Sequence, residues 1–241
     1  MNFIADIGNT STKIAVIEGN EIRAREEFEH LSEAALDDIF GRYRFIDKAI
    51  VSSSGSDGER VYAMVARRVR YALRMTPATP VPLKNGYATP ETLGTDRLAA
   101  AVGAKVLYGG GNMLIVDFGT AITYDLVVDD TFVGGNISLG LHTRLRALHD
   151  YTSNLPLCTP TDEEMLCGVS TRTAVEQGAM RGIGYETEGY IREFSKKYVN
   201  LRIIFTGGDA KYFVKRIKNT IFANRDLTLF GLNAILEYNA G

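Results

Sequence analysis

The sequence predicts an α/β protein built as two duplicated lobes with a cleft between them, and three observations lead there. Apolar runs of strand length alternate with helix-period segments along the whole chain, which is the pattern of an α/β fold. The stretch Ile4-Ala5-Asp6-Ile7-Gly8-Asn9-Thr10-Ser11-Thr12-Lys13 returns as Ile115-Val116-Asp117-Phe118-Gly119-Thr120-Ala121-Ile122-Thr123-Tyr124. Without a gap, Asp6 meets Asp117, Gly8 meets Gly119 and Thr12 meets Thr123, an offset of 111 residues. That spacing is far too long for a solenoid repeat and marks two lobes that open on the same turn. Gly109-Gly110-Gly111-Asn112 falls just before the second copy, so the lobes are set at 1–110 and 111–241.

Composition bounds the function. The 241 residues are 45% hydrophobic and 23% charged, with a mean hydropathy of −0.05, the profile of a globular chain with ample core. A net charge of −2 offers no basic field for nucleic acid or for an anionic membrane. The first residues enter a strand pattern without a basic or apolar leader, and no stretch approaches the roughly 20 apolar residues of a membrane span, so a cytoplasmic protein is expected. Cys158 and Cys167 lie near His142 and His149 at spacings that match no zinc pattern; they are read as reduced, incidental thiols. His30 has no obvious partner in the sequence.

Taken in order, Phe3-Ile4-Ala5 and Ile14-Ala15-Val16-Ile17 read as two strands joined by a tight turn, and Glu21 to Phe28 as a third, charged strand. Ser32 caps a short helix through Leu36, Ile39 and Phe40. Ala49-Ile50-Val51 is a buried strand. The Ser52-Ser53-Ser54-Gly55-Ser56 run after it lacks the Lys-Ser/Thr of a P-loop and reads first as a turn with a helix cap. A helix is expected from about Gly58 to Leu73, with Val61, Met64, Val65, Val69 and Leu73 inward and Arg60, Arg67, Arg68 and Arg70 on a solvated face. Residues 76–94, with Pro77, Pro80, Pro82 and Pro90, form a loop or extended crossover.

Gly94-Thr95-Asp96-Arg97 opens a helix running to Leu107. Thr95 suits its cap and Asp96 its first turn, where the macrodipole favours a carboxylate. Arg97 is at the wrong end of that dipole, so the Asp-Arg pair reads as a site, one group to take a proton and one to hold an anion. Beyond the second hairpin lie a strand at Thr131–Val133, the pair Gly134-Gly135, a helix from Leu141 to Tyr151 and a loop over 152–168. From Ser170 a long helix runs to about Lys197. Ala174, Gly178, Ala179, Gly182 and Gly184 make its first half small enough for another backbone, such as a second subunit, to pack closely. Ile203-Ile204-Phe205 is a buried strand leading into Thr206-Gly207-Gly208 and a helix over Tyr212–Ile217, a natural place for ribose or phosphate. Leu227 to Tyr238 is a core helix.

The repeated turn carries the chemistry. Asp-x-Gly between two strands is by itself a common hairpin turn. Here both copies bring hydroxyls, Thr10, Ser11 and Thr12 in one and Thr120 and Thr123 in the other, beside a strand-end aspartate. Convergent backbone N–H groups, hydroxyls and a carboxylate that can meet a hydrated Mg²⁺ are the parts of a polyphosphate site.

Asp6-x-Gly8-Asn9-Thr10, Asp117-x-Gly119-Thr120 and Thr206-Gly207-Gly208 resemble the phosphate-1, phosphate-2 and adenosine motifs of the actin, sugar-kinase and heat-shock-chaperone ATPase superfamily. Within it, Asp6-Ile7-Gly8-Asn9-Thr10, Gly94-Thr95-Asp96-Arg97, Asp117-Phe118-Gly119-Thr120-Ala121 and Gly134-Gly135-x-Ile137 resemble type III pantothenate kinase, in order and along the whole chain. The resemblance implies two ribonuclease-H-like lobes, a homodimer, ATP with Mg²⁺, a monovalent cation (K⁺ or NH₄⁺) and phosphorylation of pantothenate to 4′-phosphopantothenate, the first step to coenzyme A. It implies Asp96 as general base. Gly94, Thr95, Asp96 and Arg97 become the pantothenate turn, with Tyr87 and Thr171 as further substrate contacts. Asp6, Ile7, Gly8, Asn9, Thr10, Ser11, Thr12 and Lys13 become the phosphate loop, with Asp6 meeting Mg²⁺ through water. Thr120, Gly207 and Gly208 become ATP contacts and Asp117 the monovalent-cation ligand. Leu139 departs from the family, standing where its pattern has proline, and Ser52 to Ser56 are less apolar than its usual segment. A kinase for another small hydroxyl acceptor, a regulatory accessory factor of the same family and a chaperone-like ATPase are the alternatives. Intact Asp6, Asp96, Arg97 and Asp117 speak against a catalytically dead chain.

Overall fold

The computed structural model describes residues 1–55, 57–217 and 222–241. Ser56, at the end of the serine run, lies outside the described residues. The chain forms two compact units. One comprises Met1–Gly110, Asp129–Val133 and Asp226–Gly241, the other Gly111–Val128 and Gly134–Arg225.

The first unit opens with an antiparallel meander, β1 (Asn2–Ile7), β2 (Thr12–Glu18) and β3 (Glu21–Phe28). β1 is apolar because both of its faces are covered. β3, the sheet edge, carries the charges, which blunts edge-to-edge pairing. Helix α1 (Glu33–Arg42) follows, capped as expected by Ser32, whose Oγ accepts from the Ala35 N–H at 3.2 Å. Strand β4 (Lys48–Ser53) then lies parallel to β1 on its other side, followed by α2 (Gly58–Ala66), β5 (Tyr71–Arg74), the two-residue β6 (Lys84–Asn85) and α3 (Thr95–Tyr108). The sheet order is β3-β2-β1-β4-β5. Phe3, Ile14, Val16, Leu36, Ile39, Val51, Val61 and Val65 form the core under α1 and α2.

Two expectations change here. The helix read from Gly58 to Leu73 ends at Ala66, and Tyr71–Arg74 is a strand paired in parallel with β4, Ile50 opposite Leu73. Val69 and Leu73 fit a helical period, but the open edge of β4 offers backbone partners that a longer helix would leave unmet. Thr95 is not the cap of α3. Gly94 holds that position without a side-chain bond, and Thr95 is the first helical residue. The arginine face is solvated and ion-paired, Arg60 to Asp57, Arg67 to Glu33 and Arg68 to Asp37.

The second unit repeats the plan. β7 (Met113–Phe118) and β8 (Ala121–Val128) are an antiparallel hairpin. β9 runs from Thr131 to Leu139, past the expected end at Val133, so Gly134 and Gly135 lie inside a strand. Its first residues belong to the first unit, where Thr131 and Phe132 pair with β6. Helices α4 (Leu141–Asp150) and α5 (Thr171–Lys197) precede β10 (Arg202–Thr206), which lies parallel to β7. A four-residue α6 (Ala210–Phe213) and β11 (Phe222–Ala223) complete the unit. The helix expected over Tyr212–Ile217 is therefore earlier and shorter; after it the Phe213 carbonyl accepts from both the Arg216 and the Ile217 N–H at 3.0 Å. The sheet reads β6-β9-β8-β7-β10-β11, which is the order of the first with the two-residue β6 added at the β9 edge. A meander, then parallel strands added beyond its first strand, occurs twice. The duplication seen in two turns is a duplication of whole topology.

The last helix, α7 (Leu227–Ala240), packs in the first unit against α3. Two glycines set the crossing. A Cβ on Gly231 would overlap the carbonyl oxygen of Ala99, and one on Gly103 that of Leu227. Gly231→Ala should therefore lower stability by about 1–3 kcal/mol, the cost of overpacking. Gly41→Ala, in α1 where a Cβ meets nothing, should gain up to about 1 kcal/mol. Urea denaturation of the two variants checks the contrast.

Candidate functional site

The first turn is closed by the Gly8 N–H donating to the Ser11 carbonyl at 3.0 Å. It carries Asn9 and Thr10 on the surface. The Ser11 hydroxyl donates to Glu27 at 2.6 Å. Ile7 and Thr12 are buried, so Ile7 offers the turn only its main chain. That main chain is held in turn: the Ser54 N–H donates to the Ile7 carbonyl at 3.0 Å. The serine run thus braces the first turn from β4. Asp6 faces Lys13 across the β1–β2 ladder and Ser52 across the β1–β4 ladder. Burial pushes its carboxyl up to about 6; Lys13 pulls the other way, and the charge of Asp96 adds to the rise.

That coupling follows from the start of α3. The Thr95 and Ser52 hydroxyls share a buried hydrogen bond of 3.0 Å, which moors the acceptor turn to the strand beside Asp6. Asp96 folds back so that its Oδ1 accepts from the Arg97 N–H at 2.9 Å. A Cβ on Gly94 would stand 2.5 Å from that Oδ1, so the glycine is the space the carboxylate occupies. Arg97 is 8% exposed. Its guanidinium carbon lies 5.7 Å from the ring centres of both Tyr87 and Phe132. Asp6, Lys13, Gly94, Thr95, Asp96, Arg97 and Tyr87 are therefore gathered within the first unit. Ser52 and Phe132 were not found as site residues in the sequence. Ser52 was visible only as one of a serine run, and Phe132 as one aromatic in a strand.

In the second unit the turn is tighter. The Gly119 N–H donates to the Ala121 carbonyl at 3.2 Å. Asp117 faces Thr123, whereas Asp6 faces Lys13. The first strands thus correspond at 111 residues and the second strands at 110, so Thr123 is the counterpart of Lys13 and not of Thr12. The Thr123 hydroxyl donates to the buried Asp125 at 2.8 Å. Gly207 has φ +91, and a Cβ there would overlap Asp117 Oδ1 and the Phe118 carbonyl, so Thr206-Gly207-Gly208 is laid directly on the second turn. The Asp209 N–H donates to the same carbonyl at 3.1 Å. Thr120 is exposed, and its carbonyl accepts from the Gly140 N–H and the Thr143 hydroxyl. Leu139 ends β9 just before that contact.

Thr171 is the first residue of α5, beside Ser170, whose side chain and Thr173 form a capping box. It lines a cavity of about 820 Å³ with Arg144, Leu155 and Gly178, and none of Asp117, Thr120, Gly207 and Gly208 contributes to that lining. Cys158 is buried and Cys167 exposed, both as free thiols. Among the described residues no group of three or more His, Cys, Asp or Glu side chains is placed to hold a metal ion, and no helix is long and apolar enough to cross a membrane.

Against known proteins, the family model for type III pantothenate kinase matches residues 2–193. The chain belongs to the type III pantothenate kinase family. Members so named from Christiangramia forsetii and Bacteroides fragilis are each 40% identical to it; the first covers 99% of both chains, the second 100% of this chain and 99% of its own. One from Porphyromonas gingivalis is 41% identical over 99% of this chain and 98% of its own. Among solved structures, a protein from Campylobacter jejuni described as a Baf family transcriptional activator has a TM-score of 0.63 at 18% identity, covering 99% and 98%. One from Sinorhizobium meliloti described as a 2-dehydro-3-deoxygalactonokinase has 0.62 at 14%, covering 99% of each chain. These two likenesses are of fold alone.

In this pantothenate kinase family member, the donor set at Asp6 suits a divalent cation. Its carboxyl resists ionising because it is dehydrated and close to Asp96, and a hydrated cation would relieve both penalties. The raised value also sets a pH dependence in the unliganded protein. Asp6 binds its proton more tightly folded, at about 6, than unfolded, at 3.8, so its contribution to stability is complete below about pH 4 and lost as pH rises through 6. Asp6→Asn removes that loss. Its melting temperature should rise relative to wild type at pH 7.5 and match it at pH 4, by thermal scans without metal.

Proposed function

We propose that this chain transfers the γ-phosphoryl group of ATP to the primary hydroxyl of pantothenate, giving 4′-phosphopantothenate and ADP in the first step of coenzyme A biosynthesis. The observation that carries the reading is the mooring of the Asp96-Arg97 turn beside Asp6, which puts a proton acceptor next to a phosphate-binding hairpin.

In phosphoryl transfer the protein contributes mainly position and charge. The turn at Asn9, Thr10 and Ser11 and the Lys13 ammonium hold phosphate oxygens, with Gly8 and Thr12 closing the turn beneath them. Thr120 and the Gly207-Gly208 main chain meet the nucleotide. Arg97, with Tyr87, holds the substrate carboxylate, Gly94 and Thr95 shape the turn, and Thr171 is a further substrate contact. Asp96 accepts the hydroxyl proton as oxygen attacks the γ-phosphorus and the bond to ADP breaks. Mg²⁺ would be held through water by Asp6 and would supply neutralisation of phosphate charge. Asp117 would hold a monovalent cation, K⁺ or NH₄⁺; it faces a threonine where Asp6 faces a lysine.

A homodimer is part of the same reading. Cβ atoms on Gly178 and Gly184 of α5 would meet nothing within this chain, and Leu166, Val169 and Tyr185 nearby are exposed. Such a surface suits a second copy.

ADP release measured over a panel of hydroxyl acceptors, with potassium, ammonium or sodium, tests the function directly. Pantothenate should be the preferred acceptor; turnover of another acceptor in its place would overturn the assignment. Asp96→Asn should lower kcat by about 10²–10⁴-fold with ATP binding retained, as for loss of a general base. Gly94→Ala displaces the carboxylate without removing it. It should cost on the order of 10²-fold in kcat with an unchanged melting temperature, in line with a misplacement of about 1 Å.

A further inference from the structure

We infer that Phe132 is a positioning residue for the acceptor site, holding Arg97 and Tyr87 in the arrangement that receives the substrate's carboxylate. The inference rests on the function proposed above. It joins three elements separated in sequence, the loop after β6, the first turn of α3 and the start of β9, all within the first unit.

Phe132 is fully buried. Its ring takes the Arg97 guanidinium over one face at 5.7 Å and meets the Tyr87 ring edge-on at 6.0 Å and 66°. The same guanidinium lies 5.7 Å from Tyr87, so the cation is shared by two rings set at a steep angle. A planar cation between such faces has one preferred plane, which fixes the direction of its N–H fork. The backbone of Phe132 does a second job. Its carbonyl accepts from the Gly86 N–H at 2.9 Å, and Phe132 pairs with Asn85 in the β6–β9 ladder. Asn85 Oδ1 in turn accepts from the Tyr87 N–H at 3.0 Å. A Cβ on Gly86 would come to 3.3 Å from the Phe132 carbonyl oxygen, so the loop is drawn close against it. One residue thus sets Tyr87 through the main chain and Arg97 through its ring.

A residue that only filled the core would change stability and leave the two substrates' kinetics in proportion. A residue that aims Arg97 changes one of them. In Phe132→Leu, which keeps apolar volume and removes the ring, KM for pantothenate should rise about 3–30-fold, the loss of a cation–π contact of about 0.5–2 kcal/mol. KM for ATP should stay within about twofold, the change expected where no such contact is lost. Replacing Phe132 by mono-, di- and trifluorinated phenylalanine keeps the shape and withdraws charge from the ring face. KM for pantothenate should then climb stepwise with fluorination at constant melting temperature. This series carries the test if Phe132→Leu fails to fold. A flat fluorination series, or a parallel rise of both KM values, would overturn the inference. Failure of the wild-type chain to phosphorylate pantothenate would strike the proposed function instead, and the two failures are told apart by that control.

Discussion

A single dehydrated carboxylate organises the first unit. Asp6 ends the strand that is covered on both faces and paired on both edges, so its position is set by the most constrained backbone in the sheet. Each edge supplies a partner of different character. β2 brings Lys13, which stabilises the charge. β4 brings Ser52, whose hydroxyl ties the first turn of α3 to the same level and thereby brings in Asp96, which opposes the charge. The balance leaves Asp6 half-willing to ionise near neutrality, a state that a cation or a phosphate-bound metal can shift with little reorganisation. The site is therefore less a feature of a loop than a consequence of strand order. With β4 anywhere other than beside β1, neither the brace from Ser54 nor the mooring of Thr95 could exist.

The second unit shows what duplication keeps and what it changes. The meander and the parallel additions recur in the same order, with β6 as the one extra strand at the edge. The turn itself is a residue tighter, and that shortening replaces an ammonium by a hydroxyl opposite the aspartate. Two strand-end aspartates on one scaffold thus acquire unlike electrostatic surroundings. Asp117 lies against Gly207 of a neighbouring loop, whereas beside Asp6 the Ser52 hydroxyl is bonded to Thr95 of α3. Different surroundings after duplication here need no new fold, only one residue of loop length.

Much of this was legible in the sequence because it is local. The hairpins follow from alternating apolar runs around Asp-x-Gly, the cap of α1 from Ser32, and the start of α3 from Gly94-Thr95-Asp96. What was not legible depends on distant partners. Tyr71 to Arg74 continue a helical period and become a strand only because β4 has an open edge. Helix α7 reads as the end of the second half and packs in the first unit, since nothing in its apolar stripe names the helix it meets. Ser52 looks like any serine in a run until its register opposite Asp6 is known. Phe132 is ordinary in a strand until Arg97 is found above its ring. The gapless alignment of the repeat hid the one-residue slip because Thr12 and Thr123 are the same residue type, and identity outweighed register.

The glycines show where local reading must give way to tertiary reasoning. Gly207 and Gly208 are adjacent, identical in sequence and both part of the proposed adenosine motif, yet the forces on them differ. Gly207 is fixed from within, by a left-handed backbone and by the Asp117 carboxylate and Phe118 carbonyl that fill the place of a side chain. A Cβ on Gly208 would meet nothing within 4 Å among the described residues, and its backbone is ordinary, so neither strain nor crowding by them asks for glycine there. The proposed nucleotide contact is compatible with that open space. The same distinction separates Gly94, whose missing side chain is occupied by Asp96, from Gly178 and Gly184, which face open space on α5. Glycines crowded by their own chain report how the fold is built; those with room around them, Gly41 of α1 among them, carry no such constraint from within.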